Sequence, residues 1–365
     1  MTIYIIISLV IFLIAYFITL YANKFKDTEM ITIAAGIILL VCIVLDGIIY
    51  LVNYNAKTKC EEVWSGQVVS VNHKEEWDEW HPPYDEEVTE TDSKGKTHTK
   101  IIHHPGYWEH HDAENYIKTT DNGKFYVYNV PTGQKLTDDF VNSDEELEEY
   151  YPIGMPTASI HTYTNKVQSS YSIYKHKDID PSQYNLPNYP KQVNYYCINR
   201  YIGDSDNSDK ISEKINKINR DLNNTDNPNN VDNIKSYKQI NLILVDLGDV
   251  SEEYGLALQD YWQNGNKNDF VIAYGSDNDK VKWCYPFSWS EAEDCKYEIK
   301  EEMLKEDKDI IDKLDNISDI LEEKFERKQF ADFNYIQIEL SPLALIFMYI
   351  VTILGTIYLL TFSKK

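Results

Sequence analysis

Residues 3–22 read IYIIISLVIFLIAYFITLYA, an apolar run without a charge. Two further stretches match it: 30–52 (MITIAAGIILLVCIVLDGIIYLV), whose one charge is Asp46, and 343–362 (LALIFMYIVTILGTIYLLTF), which has none. At about 1.5 Å per residue, a helix of roughly twenty residues crosses a hydrocarbon core of about 30 Å. Inside lipid the backbone must satisfy its own hydrogen bonds, so helix is the state expected of each span. Tyr4, Tyr16, Tyr21, Tyr50 and Tyr358 fall toward several of the ends, as interfacial anchors do. A buried core helix would show polar positions at helical spacing, which these lack. A signal peptide would begin with positive charge, which Met1 and Thr2 do not supply. The expected protein is an α+β membrane protein, with two transmembrane helices in residues 1–56 and a third, followed by a basic tail, in 341–365.

Three spans put residues 57–340 on one side of the bilayer. Lys24 and Lys26 in the first short loop, with Lys364 and Lys365 in the tail, lie on the other. By the positive-inside rule that other side is cytoplasmic, which makes the large region extracytoplasmic. The chain carries 59 acidic against 35 basic residues, and only Asp27, Glu29 and Asp46 of the acids lie outside 57–340. Such an acidic surface argues against nucleic acid and anionic headgroups as partners. Cys60, Cys197, Cys284 and Cys295 are an even number in the exported region, which permits two disulfides; unpaired thiols are the alternative.

All nine histidines lie between His73 and His176, a shift in composition that argues for two modules. Residues 57–178 read as β-rich. Residues 63–71 form a strand-like run, 87–91 and 97–101 flank a hairpin turn, and 115–119 with 124–128 flank Asp121-Asn122-Gly123. Residues 159–164 and 168–174 are expected to add a last strand pair, and the whole to close as a small barrel or sandwich. A linker rich in proline and asparagine occupies 179–190. Residues 191–340 then alternate strand and helix. Strands are expected over 193–201, 240–245, 270–274 and 280–285. Helices are expected over 210–222 with Ser208 or Asp209 as N-cap, over 251–262, and along Ile310, Leu314, Ile317, Leu321 and Phe325. Apolar strands alternating with helices indicate an α/β sandwich.

Within this module residues 240–275 read INLILVDLGDVSEEYGLALQDYWQNGNKNDFVIAYG. The segment, with Trp262-Gln263-Asn264-Gly265-Asn266-Lys267-Asn268-Asp269 at its centre, resembles the TPM domain, an α/β module often held in a membrane by one C-terminal span. The resemblance covers about residues 191–339. It implies an extracytoplasmic module; some members are acid phosphatases with acidic, calcium-linked sites, and others are assembly or accessory factors of membrane complexes. No catalytic residue transfers one by one. The two N-terminal spans and the β-rich module depart from the simpler family pattern.

Asp246, Asp249, Asp269, Asp277 and Asp279 border strand ends of the α/β module, where ligands of open α/β sheets bind. Together they could hold Ca²⁺ or Mg²⁺ for phosphate-ester hydrolysis; turn and cap roles are the plainer alternative. His103, His104, His110 and His111 flank a turn and offer imidazoles to Zn²⁺ or Cu²⁺, although neighbours in a strand face opposite ways. Trp77, Trp80, Tyr84, Tyr107 and Trp108 suit either a protein contact or a β core. Asp46, beside Gly47, is an intramembrane carboxylate expected to act within the helix bundle. Nucleotide-binding and hydrolase motifs are missing from the sequence. The expected function is a membrane-anchored scaffold or accessory subunit that binds protein partners, with homo-oligomers included. It would serve a membrane complex or a viral or phage assembly. A Ca²⁺- or Mg²⁺-dependent phosphatase is the alternative, and an ion-conducting oligomer the third.

Overall fold

The computed structural model describes residues 2–91, 97–137, 140–164, 176–223, 238–263, 265–278, 280–328 and 340–361. Three of its helices are long and apolar enough to cross a membrane: α1 (Thr2–Ala22), α2 (Thr28–Thr58) and α8 (Pro342–Thr361). They pack as a bundle around Phe12, Ala15, Ala35, Ile38, Cys42 and Leu359. Gly355 allows the close approach, since a Cβ there would sit 2.5 Å from Cys42 Sγ. Tyr4, near the start of α1, meets Asp46 of α2 and Thr352 in the middle of α8.

The β-rich module is built on one long strand, β1 (Lys59–Lys74). Its first half pairs with β8 (Pro156–Thr164). After a register shift between Val68 and Ser70, its second half pairs with β6 (Glu114–Thr119), which in turn pairs with β7 (Gly123–Tyr126). The order β7-β6-β1-β8 is antiparallel and open, not the expected barrel or sandwich. Val68 and Ile117 on this sheet are covered by Leu147 and Tyr151, at a short helix α3 (Asp144–Tyr150), and by Tyr196. One amphipathic turn and a crossing segment therefore do the work a second sheet would do. The two expected hairpins form, with Glu87 opposite Ile101 and Lys118 opposite Lys124. Of the expected last pair, 159–164 is part of β8, while 168–174 lies outside the described residues.

Between β1 and β6 the chain runs out and back as a ribbon. β2 (Trp77–His81) pairs with β5 (Tyr107–His111), and β3 (Tyr84–Thr91) with β4 (Thr97–His104). The register is one and the same throughout: Val71 opposite Ile117, Trp77 opposite His111, Tyr84 opposite His104, Thr91 opposite Thr97. At about 3.3 Å per residue the ribbon has a contour on the order of 55 Å beyond Lys74.

In the α/β module the sheet order is β11 (Tyr201–Ile202), β12 (Asn241–Asp246), β13 (Asp269–Asp277), β14 (Lys280–Ser288), the first three parallel and the last antiparallel. Both faces are buried, as continuous apolar strands require. Leu242, Leu244, Phe270 and Ile272 face α4 (Ser208–Leu222), α6 (Glu293–Met303) and α7 (Ile310–Lys324). Ile243, Val245, Val271 and Ala273 face α5 (Glu253–Tyr261) and Trp262. The expected strand over 193–201 is instead a small hairpin, β9 (Gln192–Asn194) with β10 (Cys197–Ile198), followed by β11. The N-cap of α4 is Asn207, and its side chain makes no cap bond; neither Ser208 nor Asp209 caps the helix.

Because β11 reaches only Leu244 and Val245, the edge of β12 nearer its start needs other partners. Two asparagines one turn apart, Asn219 on α4 and Asn223 at its C-cap, supply them. Asn219 accepts from Leu242 N at 2.7 Å and donates to Leu242 O at 3.0 Å; Asn223 does the same for Ile240, at 2.9 and 2.7 Å. Each side-chain amide stands in for a strand residue.

The two modules are packed together through β1. Glu62, buried, receives two bonds from Arg327 Nη2 (2.6 and 2.7 Å) and lies 3.4 Å from Lys267 Nζ. Asn268 donates to Val63 O, and buried Arg200 donates to Ser65 Oγ at 2.8 Å. Val63, Ala158 and Ile198 fill the space between.

Candidate functional site

A pocket of about 750 Å³ opens where β11 and β12 end, lined by Asp204, Asp206, Asp246, Asp249, Ser276 and Asp277 among others. This is the crevice beyond strand carboxyl ends that the sequence pointed to. Its Asp246 is already occupied: the carboxylate accepts from Ser276 Oγ (2.7 and 2.9 Å) and from Gly248 N (2.9 Å). Gly248 holds φ +73, so the turn after β12 needs a residue without a Cβ, and Asp246 ties that turn to β13. Asp277 lies 3.4 Å from Lys282. Asp204 and Asp206 enter the pocket from the loop after β11; the signal for them is Gly203-Asp204-Ser205-Asp206 directly behind a strand.

Asp269 is not part of this pocket. It begins β13, at the opposite end of the sheet, fully buried, and accepts from Asn266 N (2.7 Å), Tyr189 Oη (2.8 Å) and Asn241 Nδ2 (2.8 Å). Gly265, at φ +66, brings the backbone so near that a Cβ would lie 2.7 Å from Asp269 Oδ2. Asp269 closes the turn of residues 265–269 and does not face a ligand. Asp279 lies outside the described residues. Among the described residues no three His, Cys, Asp or Glu side chains converge to hold a metal ion, so the five-carboxylate Ca²⁺ or Mg²⁺ site is not assembled as expected.

Burial pushes the Asp269 carboxyl up to about 6 against its three hydrogen bonds. The folded state therefore binds the proton more tightly than the unfolded chain does, whose carboxylate titrates near about 3.9. The stability this contributes is full below about pH 4 and lost as pH rises through about 6. Melting curves between those limits should show wild type losing stability relative to Asp269→Asn as pH rises. A difference between the two proteins that does not change with pH would contradict this.

The expected histidine site is also dispersed. His103 and His110 are seven residues apart on one strand line, about 23 Å at strand rise, so the two pairs cannot share an ion. Each histidine instead faces a carboxylate across the ribbon: His103 with Asp85, His104 with Glu86 (3.0 Å), His110 with Asp78 (2.9 Å) and His111 with Glu79 (3.3 Å). His81 and Glu109 (2.8 Å) repeat the pattern. The Asp78 carboxylate at Nδ1 holds His110 above its ordinary value.

The aromatic residues sit in the same register. Trp80 lies opposite Trp108 with centroids 5.2 Å apart, and Trp77–His111, His81–Tyr107 and Tyr84–His104 stack within 4.8 Å. They form no barrel core: Trp80 is 46% exposed and Trp108 66%. Both edges of the ribbon are unpaired among the described residues.

The disulfide expectation fails for the described thiols. Cys197, Cys284 and Cys295 are free, and the Cys60 side chain lies outside the described part. Cys284 and Cys295 share the core beneath β14, where burial pushes both thiols up to about 12, which keeps them from forming the reactive thiolate. Compared with models of known families, with curated proteins and with solved structures, the chain matches none.

Proposed function

We propose that the protein is a membrane-anchored scaffold or accessory subunit that offers its acidic region, on the extracytoplasmic side, to protein partners. The ribbon carries this reading. An isolated two-stranded ribbon is marginally stable in water, yet this one holds a single register far from the core. Tyr84, Tyr107, Trp80 and Trp108, all about half-exposed or more, fit the enrichment of aromatics where proteins meet. The likeness of the sequence over 262–269 to TPM domains, some of which are accessory factors of membrane complexes, points the same way.

A photoreactive amino acid at Trp108 should yield a discrete crosslinked adduct in native membranes, while one at Tyr297, equally exposed on α6, should not. No adduct from position 108 would contradict the reading. The position of the acidic pocket favours one second reading, a TPM-type phosphomonoesterase using Ca²⁺ or Mg²⁺. Solubilised full-length protein that turns over no phosphomonoester, and whose melting is unmoved by either ion, would dispose of it.

A further inference from the structure

Asp46 occupies the part of α2 that meets the start of α1, at Tyr4, and the middle of α8, at Met348 and Thr352. Tyr4 Oη donates to Asp46 Oδ2 at 2.5 Å and lies 3.1 Å from both Met348 O and Thr352 Oγ1. Asp46 Oδ1 is buried and has no hydrogen-bond partner among the described residues. It borders a cavity of about 330 Å³, otherwise lined mainly by apolar side chains, with Ser8 and Thr352 the other small polar ones.

As a carboxylate, Asp46 has a donor for Oδ2 in Tyr4 and none for Oδ1, and a carboxylate oxygen in hydrocarbon needs one. The cavity shows where a donor would come from. Its walls are ridges of two helices, Ile5 and Leu9 four apart on α1, Leu39 and Ile43 four apart on α2. Ile5, Leu9 and Ile43 are each about half-exposed, so the cavity opens sideways, out of the bundle. Ridges at that spacing, with Gly47 leaving room for close approach, suit a further helix. A second copy of this chain would bring no cation to Asp46, because residues 2–22, 30–52 and 342–361 contain no Lys or Arg.

We propose that the groove between α1 and α2 docks a transmembrane helix of a different protein, through a Lys or Arg side chain that enters the cavity and pairs with Asp46. This rests on the three apolar helices lying in a bilayer. It makes Asp46 the point at which an accessory subunit recognises its complex within the membrane.

The test uses full-length protein in phospholipid vesicles and two leucine-based transmembrane peptides, one with a single lysine at the depth of Asp46 and one with leucine there. Association is read by energy transfer between labels. The lysine peptide should bind at least about tenfold more tightly, a difference of about 1.4 kcal/mol. Asp46→Asn should abolish that preference and Asp46→Glu retain it. Equal binding of the two peptides to wild-type protein would overturn the proposal, whether or not the variants fold. So would a preference that survives in Asp46→Asn. Flotation of the vesicles separates the two possible failures: protein that does not float with lipid overturns the membrane reading itself, and the proposal with it.

Discussion

Glu62→Ala is expected to destabilise the protein by about 3–5 kcal/mol, the cost of leaving buried charge without its counter-ion. The carboxylate is 3% exposed and neutralises two cations, Arg327 (13% exposed) and Lys267 (6%). Removing it takes the buried counter-ion from both cations at the junction of the β-rich and α/β modules. A loss of that size should lower the melting temperature by roughly 6–20 °C. Replacing Glu62, Arg327 and Lys267 together with methionine should recover most of the loss, because an apolar cluster needs no counter-ion. A single substitution that melts like wild type would show that the modules are not held at this point.

The second large effect is expected from Asn219→Leu. Leucine fills much the same volume on the buried face of α4, so packing changes little. What is lost is the partner of Leu242 N and Leu242 O, both on a fully buried residue. Each orphaned group costs about 1–3 kcal/mol, so the pair should cost about 2–6 kcal/mol. Hydrogen exchange localises the effect: the Leu242 amide should lose protection, while Leu244, bonded to Arg200 O, should lose less. Unchanged protection at Leu242 would mean that the side-chain pairing does not hold that edge.

Neither arrangement was legible in the sequence, and the reasons are physical. Ile211, Ile215, Ile218 and Leu222 announced the helix, and Asn219 and Asn223 lie beside them on the same face. A polar residue on an apolar face shows that a partner exists, but not that the partner is a strand edge left bare by a two-residue neighbour. Glu62, Lys267 and Arg327 are far apart in sequence, and only the packing of β1 on the α/β module brings them together. The long apolar helices and the β12–β13 strands were readable because burial on all sides leaves unbroken apolar runs. The hairpins at 87–101 and 115–128 were readable because their turns carry Gly and Asn.

The β-rich module misled for a related reason. Alternating aromatic residues over 77–111 look the same whether they fill a barrel or decorate an exposed ribbon, since strand periodicity records facing and not burial. The acidic pocket was half visible. Asp246, Asp249 and Asp277 were placed at its rim by their position after strands, Asp204 and Asp206 went unnoticed, and Asp269 was misassigned because both ends of a strand carry aspartate.

In the proposed topology the three apolar helices hold the acidic region, with its ribbon, on the outer side of a membrane. Thr97, exposed near the far end of the ribbon, offers the most direct test. A Thr97→Cys protein expressed in intact cells should react with a membrane-impermeant maleimide before the cells are broken, above the background of the unsubstituted chain. Labelling that appears only after lysis would place the ribbon on the inner face and overturn the extracytoplasmic placement.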